Sequence, residues 1–451
     1  MTEGPIASKV LMFAIPLMLS SMLQLAYNAA DIIVVGRYSG SHALAAVGST
    51  TSLINLIINI FIGISAGAGA VIARYYGSDD RTSMRETVHT TMAIGIISGV
   101  VVAAIGITLA RPMLELMGAP SDVIDLSTLY LRIYFIGAPA NMIYNFGSSV
   151  LRAVGDTKRP LYFLTVSGIV NVILNLVFVA GLGMSVDGVA IATVTSQILS
   201  AVFVVLCLMR MDGGCHLVLR DVRIYKGRLA PMLRIGLPTG FQGTLFSLSN
   251  VLIQSSINSF GAIVVAGNSA ASNIENFVYF GMNAFHHAAL TFAGQNYGAG
   301  KIKRIKKVTL CCLAYAGIIG AVLGCIAYAG SGTLLKIFSS DQAVIDAGVS
   351  RMMIICTTYF LCGFMDTMVG ALRGMGCSLI PMISSLVGVC GFRILWIYTV
   401  FAANRHNIMI LYASYPISWS LTVVAHIVTF VIVYTKAKKK ASEPMPDAAI
   451  S

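Results

Sequence analysis

The chain has 451 residues, 57% hydrophobic and 11% charged, with a mean hydropathy of +0.83. Soluble domains carry about 25% charged residues, so most of this chain cannot face water and it reads as a polytopic membrane protein. Its 30 Lys and Arg against 18 Asp and Glu are, in a bilayer protein, the mark of cytoplasmic loops facing anionic lipid, and nucleic acid is set aside as a partner.

A spanning helix needs about 20 largely apolar residues, because every backbone polar group must be satisfied within the segment. In chain order this predicts spans at 10–35, 44–73, 87–110, 123–150, 160–182 and 188–210. After a polar stretch from Met211 to Arg228, six more are predicted at 230–257, 264–295, 308–332, 343–371, 380–402 and 407–435. The expected fold is all-α and integral to the membrane, with twelve transmembrane helices. The first span lacks a small-residue cleavage site and is expected to be retained. Nine cysteines without a CxxC pair, six of them in apolar runs, indicate neither a disulfide framework nor a metal site.

With a cytoplasmic N-terminus, the inner side holds Lys9, the loops Arg74 to Arg85, Arg152 to Arg159, Arg210 to Arg234 and Lys301 to Lys307, Arg373, and the Lys436 to Lys440 tail, 23 basic residues in all. The outer side holds Arg37, Arg111, Lys336 and Arg405, and this asymmetry places both termini in the cytoplasm. Arg132, Arg351 and Arg393 fall within spans.

Sliding the chain against itself by 221 residues aligns Leu151-Arg152-x-x-Gly155 with Leu372-Arg373-x-x-Gly376, Pro160 with Pro381, Val123-Ile124-Asp125 with Val344-Ile345-Asp346, and Tyr76-Gly77 with Tyr297-Gly298. One residue more aligns Pro16 with Pro238 and Asn28 with Asn250. Two homologous halves of six spans follow, forming a parallel repeat because each half enters from the same side. The predicted organisation is an amino-terminal six-helix lobe (1–210), a cytoplasmic linker (211–229), a carboxy-terminal six-helix lobe (230–435) and a basic then polar cytoplasmic tail (436–451). Alternating access by rocking of the lobes is the expected mode of action.

Pro16, the Asn28-x-x-Asp31 pair ahead of Gly36, the Gln295-Asn-Tyr-Gly-Ala-Gly-Lys301 end of the eighth span, and the doubled Leu-Arg-x-x-Gly motif with its following Pro together resemble the multidrug and toxic compound extrusion (MATE) family. The likeness runs over essentially the whole chain. It implies V-shaped lobes and a multidrug efflux antiporter that exports organic, often cationic, compounds against protons or sodium. Within the family the chain is most similar to the prokaryotic branch with its main acid in the first span. That branch commonly has an Asn and, four residues on, an Asp in span five, where this chain has Asn171 and Asn175.

A carboxylate within hydrocarbon costs several kcal/mol unless paired, hydrated or protonated, so Asp31, Glu275 and Asp366 are the functional candidates. Asn28 lies one turn before Asp31 on the same face. In the repeat Asp31 aligns with Ile253, and Asn171 and Asn175 with Phe392 and Trp396, so the polar set belongs to the amino-terminal lobe alone. The cation-coupling site is accordingly expected among Asp31, Asn28, Asn145, Asn171, Asn175 and Thr193. Sodium at this cluster is the one metal considered. Glu275 is expected to attract a cationic substrate or to pair with Arg393, and Asp366 and Arg393, on adjacent spans, to form a buried ion pair. These three are the substrate or charge-relay candidates. His286 and His287 point about 100° apart on a helix and cannot form one metal site.

Three rival readings exist, of which a channel lacks a TVGYG-type filter and is opposed by the lobe duplication, which argues for alternating access. A lipid-linked saccharide flippase of related fold would show a more basic cavity than three intramembrane acids permit. An enzyme would need a Walker A, HExxH or GxSxG element, and the chain has none. The expected protein is a monomer of the plasma membrane (the inner membrane in a two-membrane cell), with no cofactor beyond its coupling ion, and with small organic cations and membrane lipid as partners.

Overall fold

The computed structural model describes residues 1–117, 121–404 and 407–442. Arg405 and the end of the tail from residue 443 therefore lie outside the described residues.

Twelve long helical passages occupy the described chain. The first half contains α1 (Ile6–Tyr38), α2 (Gly40–Gly77), α3 (Arg81–Leu116), the broken passage α4 (Ile124–Ile136) and α5 (Ala138–Val154), α6 (Lys158–Asn175) with a π-helical turn Leu176–Gly181, and α7 (Val186–Met209). The second contains α8 (Lys226–Asn258), α9 (Ala262–Gly298), α10 (Ile302–Ala329) with the short α11 (Ser331–Leu335), the broken passage α12 (Gln342–Thr358) and α13 (Phe360–Gly374), a passage of α14 (Leu379–Ser385), a π turn Leu386–Gly391, α15 (Phe392–Trp396) and a second π turn Ile397–Phe401, and α16 (Ile408–Ser442). Eight passages are long and apolar enough to cross a membrane, and the α12–α13 pair, bent by 45°, makes a ninth. The other three, α4–α5, α8 and α9, carry the polar positions Asn141, Asn145, Asn250, Asn268, Glu275 and Asn283 within their length, which lowers their apolarity.

The doubled Leu-Arg-x-x-Gly motif ends a helix in both halves. Gly155 (φ 102°) and Gly376 (φ 82°) adopt the left-handed conformation that favours glycine. The Asp156 and Cys377 amides then return to the carbonyls of Leu151 and Leu372 at 2.9 Å each, so both helices close in the same way.

Contacts divide the chain into two units. An amino-terminal unit comprises Leu19–Ile72 and Asp80–Thr244; a carboxy-terminal unit comprises Met1–Met18, Ala73–Asp79 and everything from Leu245 onward. Helix ends are thus exchanged relative to the sequence halves: the start of α1 and the end of α2 pack in the carboxy-terminal unit, and the start of α8 in the amino-terminal one.

Within the amino-terminal unit, Val34, Val35, Val47, Tyr130, Val186 and Val189 form a buried cluster joining α1, α2, α4 and α7. Gly63 and Gly67 of α2 meet Gly236 and Gly240 of α8 backbone to backbone; a Cβ on Gly63 would lie 2.2 Å from the Gly240 nitrogen, so only glycine permits this approach. The linker from Met211 is strapped along α3, with the Val218 amide donating to His89 Nε2 at 3.1 Å and Arg228 paired with Glu86 at 2.8 Å. In the carboxy-terminal unit, Phe13 of α1 packs edge-on to Phe292 of α9 at 5.6 Å, amid Phe285, Ile305, Met368 and Leu372.

Candidate functional site

In the amino-terminal unit, α1, α2, α4, α5, α6 and α7 surround a cavity of about 340 Å³. Asp31, Asn28, Asn145, Asn171 and Thr193 all line it, with Tyr27, Asn55, Tyr130, Tyr134, Asn141 and Gln197. Asp31 is the single charged residue among its described lining residues. The buried Asn175 completes the set by donating its side-chain N–H to Asp31 Oδ1. The same amide nitrogen lies 3.3 Å from Asn171 Oδ1, while Asn175 Oδ1, also buried, has no partner. The Thr193 hydroxyl lies beside the Asp31 carboxylate and donates to the Val189 carbonyl at 2.9 Å. Asn145 donates to both the backbone and side-chain oxygens of Asn141, at 2.9 and 2.8 Å.

The six residues expected to cooperate in cation coupling are therefore brought together at one cavity. A carboxylate, amide oxygens and a hydroxyl form an oxygen-rich set suited to a proton or a hard cation. Helical spacing explains the arrangement: Asn28 and Asp31 are three apart on α1, and Asn171 and Asn175 four apart on α6, so each pair shares a face.

The carboxy-terminal unit has two adjoining cavities of about 250 and 270 Å³ that share Asn250, Asn276, Tyr359, Tyr415 and Trp419. Glu275 on α9 and Arg351 on α12 form a buried, bidentate pair, with Nε to Oε1 at 2.9 Å and Nη2 to Oε2 at 2.7 Å. Arg351 Nη1 reaches Asn268 Oδ1 at 2.7 Å. The partner of Glu275 is thus Arg351 and not Arg393, and both carboxylate oxygens are occupied.

The expected Asp366–Arg393 ion pair is not formed either. Asp366 Oδ2 accepts from the Tyr279 hydroxyl at 3.1 Å, with Asn283 alongside, and Asp366 feels the charge of Arg373 two turns along α13. Arg393 stacks over Tyr415 with its guanidinium carbon 4.0 Å from the ring centroid, and its Nε donates to Ser418 Oγ at 2.9 Å. His286 Nδ1 bonds the Asp366 carbonyl at 2.7 Å, which ties His286 to the helix backbone. No group of three or more His, Cys, Asp or Glu that could hold a metal is gathered among the described residues.

The repeat alignment of α6 also needs correction. The π turn Leu386–Gly391 lies where the first half has regular α6, whereas the later turn Ile397–Phe401 falls in the same region of the repeat as Leu176–Gly181. One extra residue in a wide turn rotates everything after it by a position. The buried residue facing inward where α6 has Asn171 is Arg393, and not Phe392. Sequence reasoning placed Arg351 within a span but gave it no partner, and it missed the tyrosines at 130, 134, 279 and 415, because aromatic residues are common in lipid-facing positions and nothing local tells which of them turn inward.

Twelve helical passages, with polar cavities among the described residues of both units, form an architecture suited to moving a solute across a membrane. The family profile of MatE matches residues 16–177 and again 238–399, and the chain belongs to that family. The two matched ranges start 222 residues apart, in keeping with a duplicated chain.

Among curated relatives, a probable multidrug resistance protein YoeA of Bacillus subtilis is 29% identical over 418 residues, 91% of this chain and 90% of its own length. A FAD transporter of Shewanella oneidensis is 24% identical over 348 residues, 76% of this chain and 77% of its own. Among solved structures, an outward-facing multidrug resistance MATE family transporter of the MOP superfamily superimposes with a TM-score of 0.89 at 21% identity, covering 97% of both chains. The named cargoes of the two relatives differ, so the cargo of this chain must be argued from its own cavities.

Proposed function

We propose that this protein is a plasma-membrane multidrug efflux transporter that exports organic cations in exchange for a proton or a sodium ion, by alternating access, with both termini in the cytoplasm. The observation that carries the reading is Asp31: a lone carboxylate on the wall of the amino-terminal cavity, held by Asn175 and faced by no described basic side chain. An ionised carboxylate in such a place costs several kcal/mol unless a cation joins it. Coupling ion and organic cation compete for the same single charge, and that competition makes exchange obligatory. Asn175 stabilises the ionised form through its N–H, while Asn171, Thr193 and the free Asn175 oxygen supply further ligands for the incoming ion. The four charges lining the carboxy-terminal cavities, Glu275, Asp366, Arg351 and Arg393, sum to zero, which argues against the strongly basic cavity of a saccharide flippase.

The test is export of a fluorescent organic cation from proteoliposomes under an imposed proton or sodium gradient. Asp31→Asn keeps the side-chain size but cannot release a proton or bear a charge, so gradient-driven export should fall to background while the protein folds normally. Asn175→Asp places a second titrating group against Asp31 and should shift the pH dependence of export. Wild-type export by Asp31→Asn under the same gradient would refute the assignment.

A further inference from the structure

Arg393 stands apart from the other charges on the carboxy-terminal cavity walls. It is 4% exposed, and its Nη2 has no hydrogen-bond partner. Glu275, on the adjoining cavity, is engaged by Arg351 on both oxygens; Asp366 lines the same cavity as Arg393 but is held by Tyr279, and no described carboxylate pairs with Arg393. The Tyr415 ring lies 4.0 Å and the Trp419 ring 5.6 Å from the guanidinium carbon, and Ser418 holds Nε at 2.9 Å, so the group is fixed in the cavity wall with Nη2 unpartnered. Phe246, Tyr279, Tyr359 and Trp419 supply flat apolar walls to the same cavity of about 250 Å³.

We infer that the carboxy-terminal unit contains a binding site for small aromatic oxyanions, with the carboxylate on the Nη edge of Arg393 and the ring against the aromatic wall. A buried cation lacking an acid is costly, and a planar carboxylate both neutralises it and satisfies the unpartnered donor. Guanidinium and carboxylate match edge to edge through charge-assisted hydrogen bonds. The proposal goes beyond the organic-cation reading: it places a site of opposite preference in the other unit.

The test uses the full-length protein in lipid nanodiscs and equilibrium dialysis with three ligands of one shape: 2-naphthoate, neutral 2-naphthamide and 2-naphthylmethylammonium. Naphthoate should bind roughly tenfold or more tighter than either of the others, the scale of a charge-assisted hydrogen bond. Arg393→Gln should abolish the preference for naphthoate over naphthamide, and Arg393→Lys, which keeps the charge but not the planar edge, should keep only part of it. Asp31→Asn should leave naphthoate binding as it is, which separates failure of this site from failure of the coupling site. Equal binding of all three ligands by the wild type, or an undiminished naphthoate preference in Arg393→Gln, would overturn the proposal. The wild-type ranking decides it even where the glutamine variant does not fold.

Discussion

Glu275 and Arg351 show why intramembrane charges are hard to apportion from sequence. Both are visible as charges inside apolar runs, yet their pairing depends on the rotation of α9 against α12, which no local spacing encodes. Lying 76 residues apart, they meet through two hydrogen bonds at 2.7 and 2.9 Å with side chains 5% and 7% exposed. Removing one partner of such a pair leaves a buried charge and costs about 3–5 kcal/mol, whereas replacing both with groups of similar volume is often neutral. Glu275→Gln should therefore lower the thermal unfolding temperature in detergent sharply, and Glu275→Gln with Arg351→Met should restore most of it. A double variant as unstable as the single would show that the pair has a role other than mutual neutralisation. The Asp31 cluster was far more legible, because four of its six members sit three or four apart on α1 and α6 and an intramembrane carboxylate is conspicuous in itself.

At the scale of elements, the twelve passages follow from hydrophobic length, and their ends from local chemistry. Asp80 caps α3: its side chain accepts from the Ser83 amide at 3.0 Å, and these bonds to Ser83 hold its carboxyl below the usual carboxylate range. The ionised form accepts more strongly than the neutral acid, so this charge-assisted part of the contribution is present above the unfolded-state pKa and is lost as pH falls through the lowered folded-state value. Asp80→Ala should cost about 1 kcal/mol near neutral pH. The gap in unfolding temperature between wild type and variant should hold through mildly acidic pH and narrow only below the ordinary aspartate range. A gap that persists unchanged in strong acid would show that the cap is not electrostatic. The wide turns were not legible in this way. Leu386–Gly391 carries no proline, and its glycines, Gly388 and Gly391, weaken a helix without specifying a wide turn, yet the extra residue turns Arg393 inward, and a repeat alignment drawn without it selects Phe392.

At the scale of the whole molecule, the untested expectation is orientation. Basic residues number 23 at one set of helix ends and four at the other. Within the carboxy-terminal unit the contacts agree with a single basic face: Lys301 Nζ pairs with Glu3 at 2.9 Å, Arg304 donates to the Gly4 carbonyl at 2.6 Å, and Arg74 donates to the Gly374 carbonyl at 3.1 Å. The N-terminus, the start of α10, the end of α2 and the end of α13 therefore share one side, and labelling any one of them orients all four. Helix α10 supplies the comparison, since Lys303 lies in its exposed first turn and Lys336 is exposed just beyond its far end, about 40 Å away along a helix rising 1.5 Å per residue. In a background with the nine native cysteines replaced, Lys336→Cys should react with an impermeant thiol reagent in intact cells, and Lys303→Cys only after permeabilisation. The reverse pattern would turn the molecule over and move the coupling-ion entry side with it. Equal labelling at both positions would mean that α10 does not cross the bilayer, and the twelve-passage topology would fall with it.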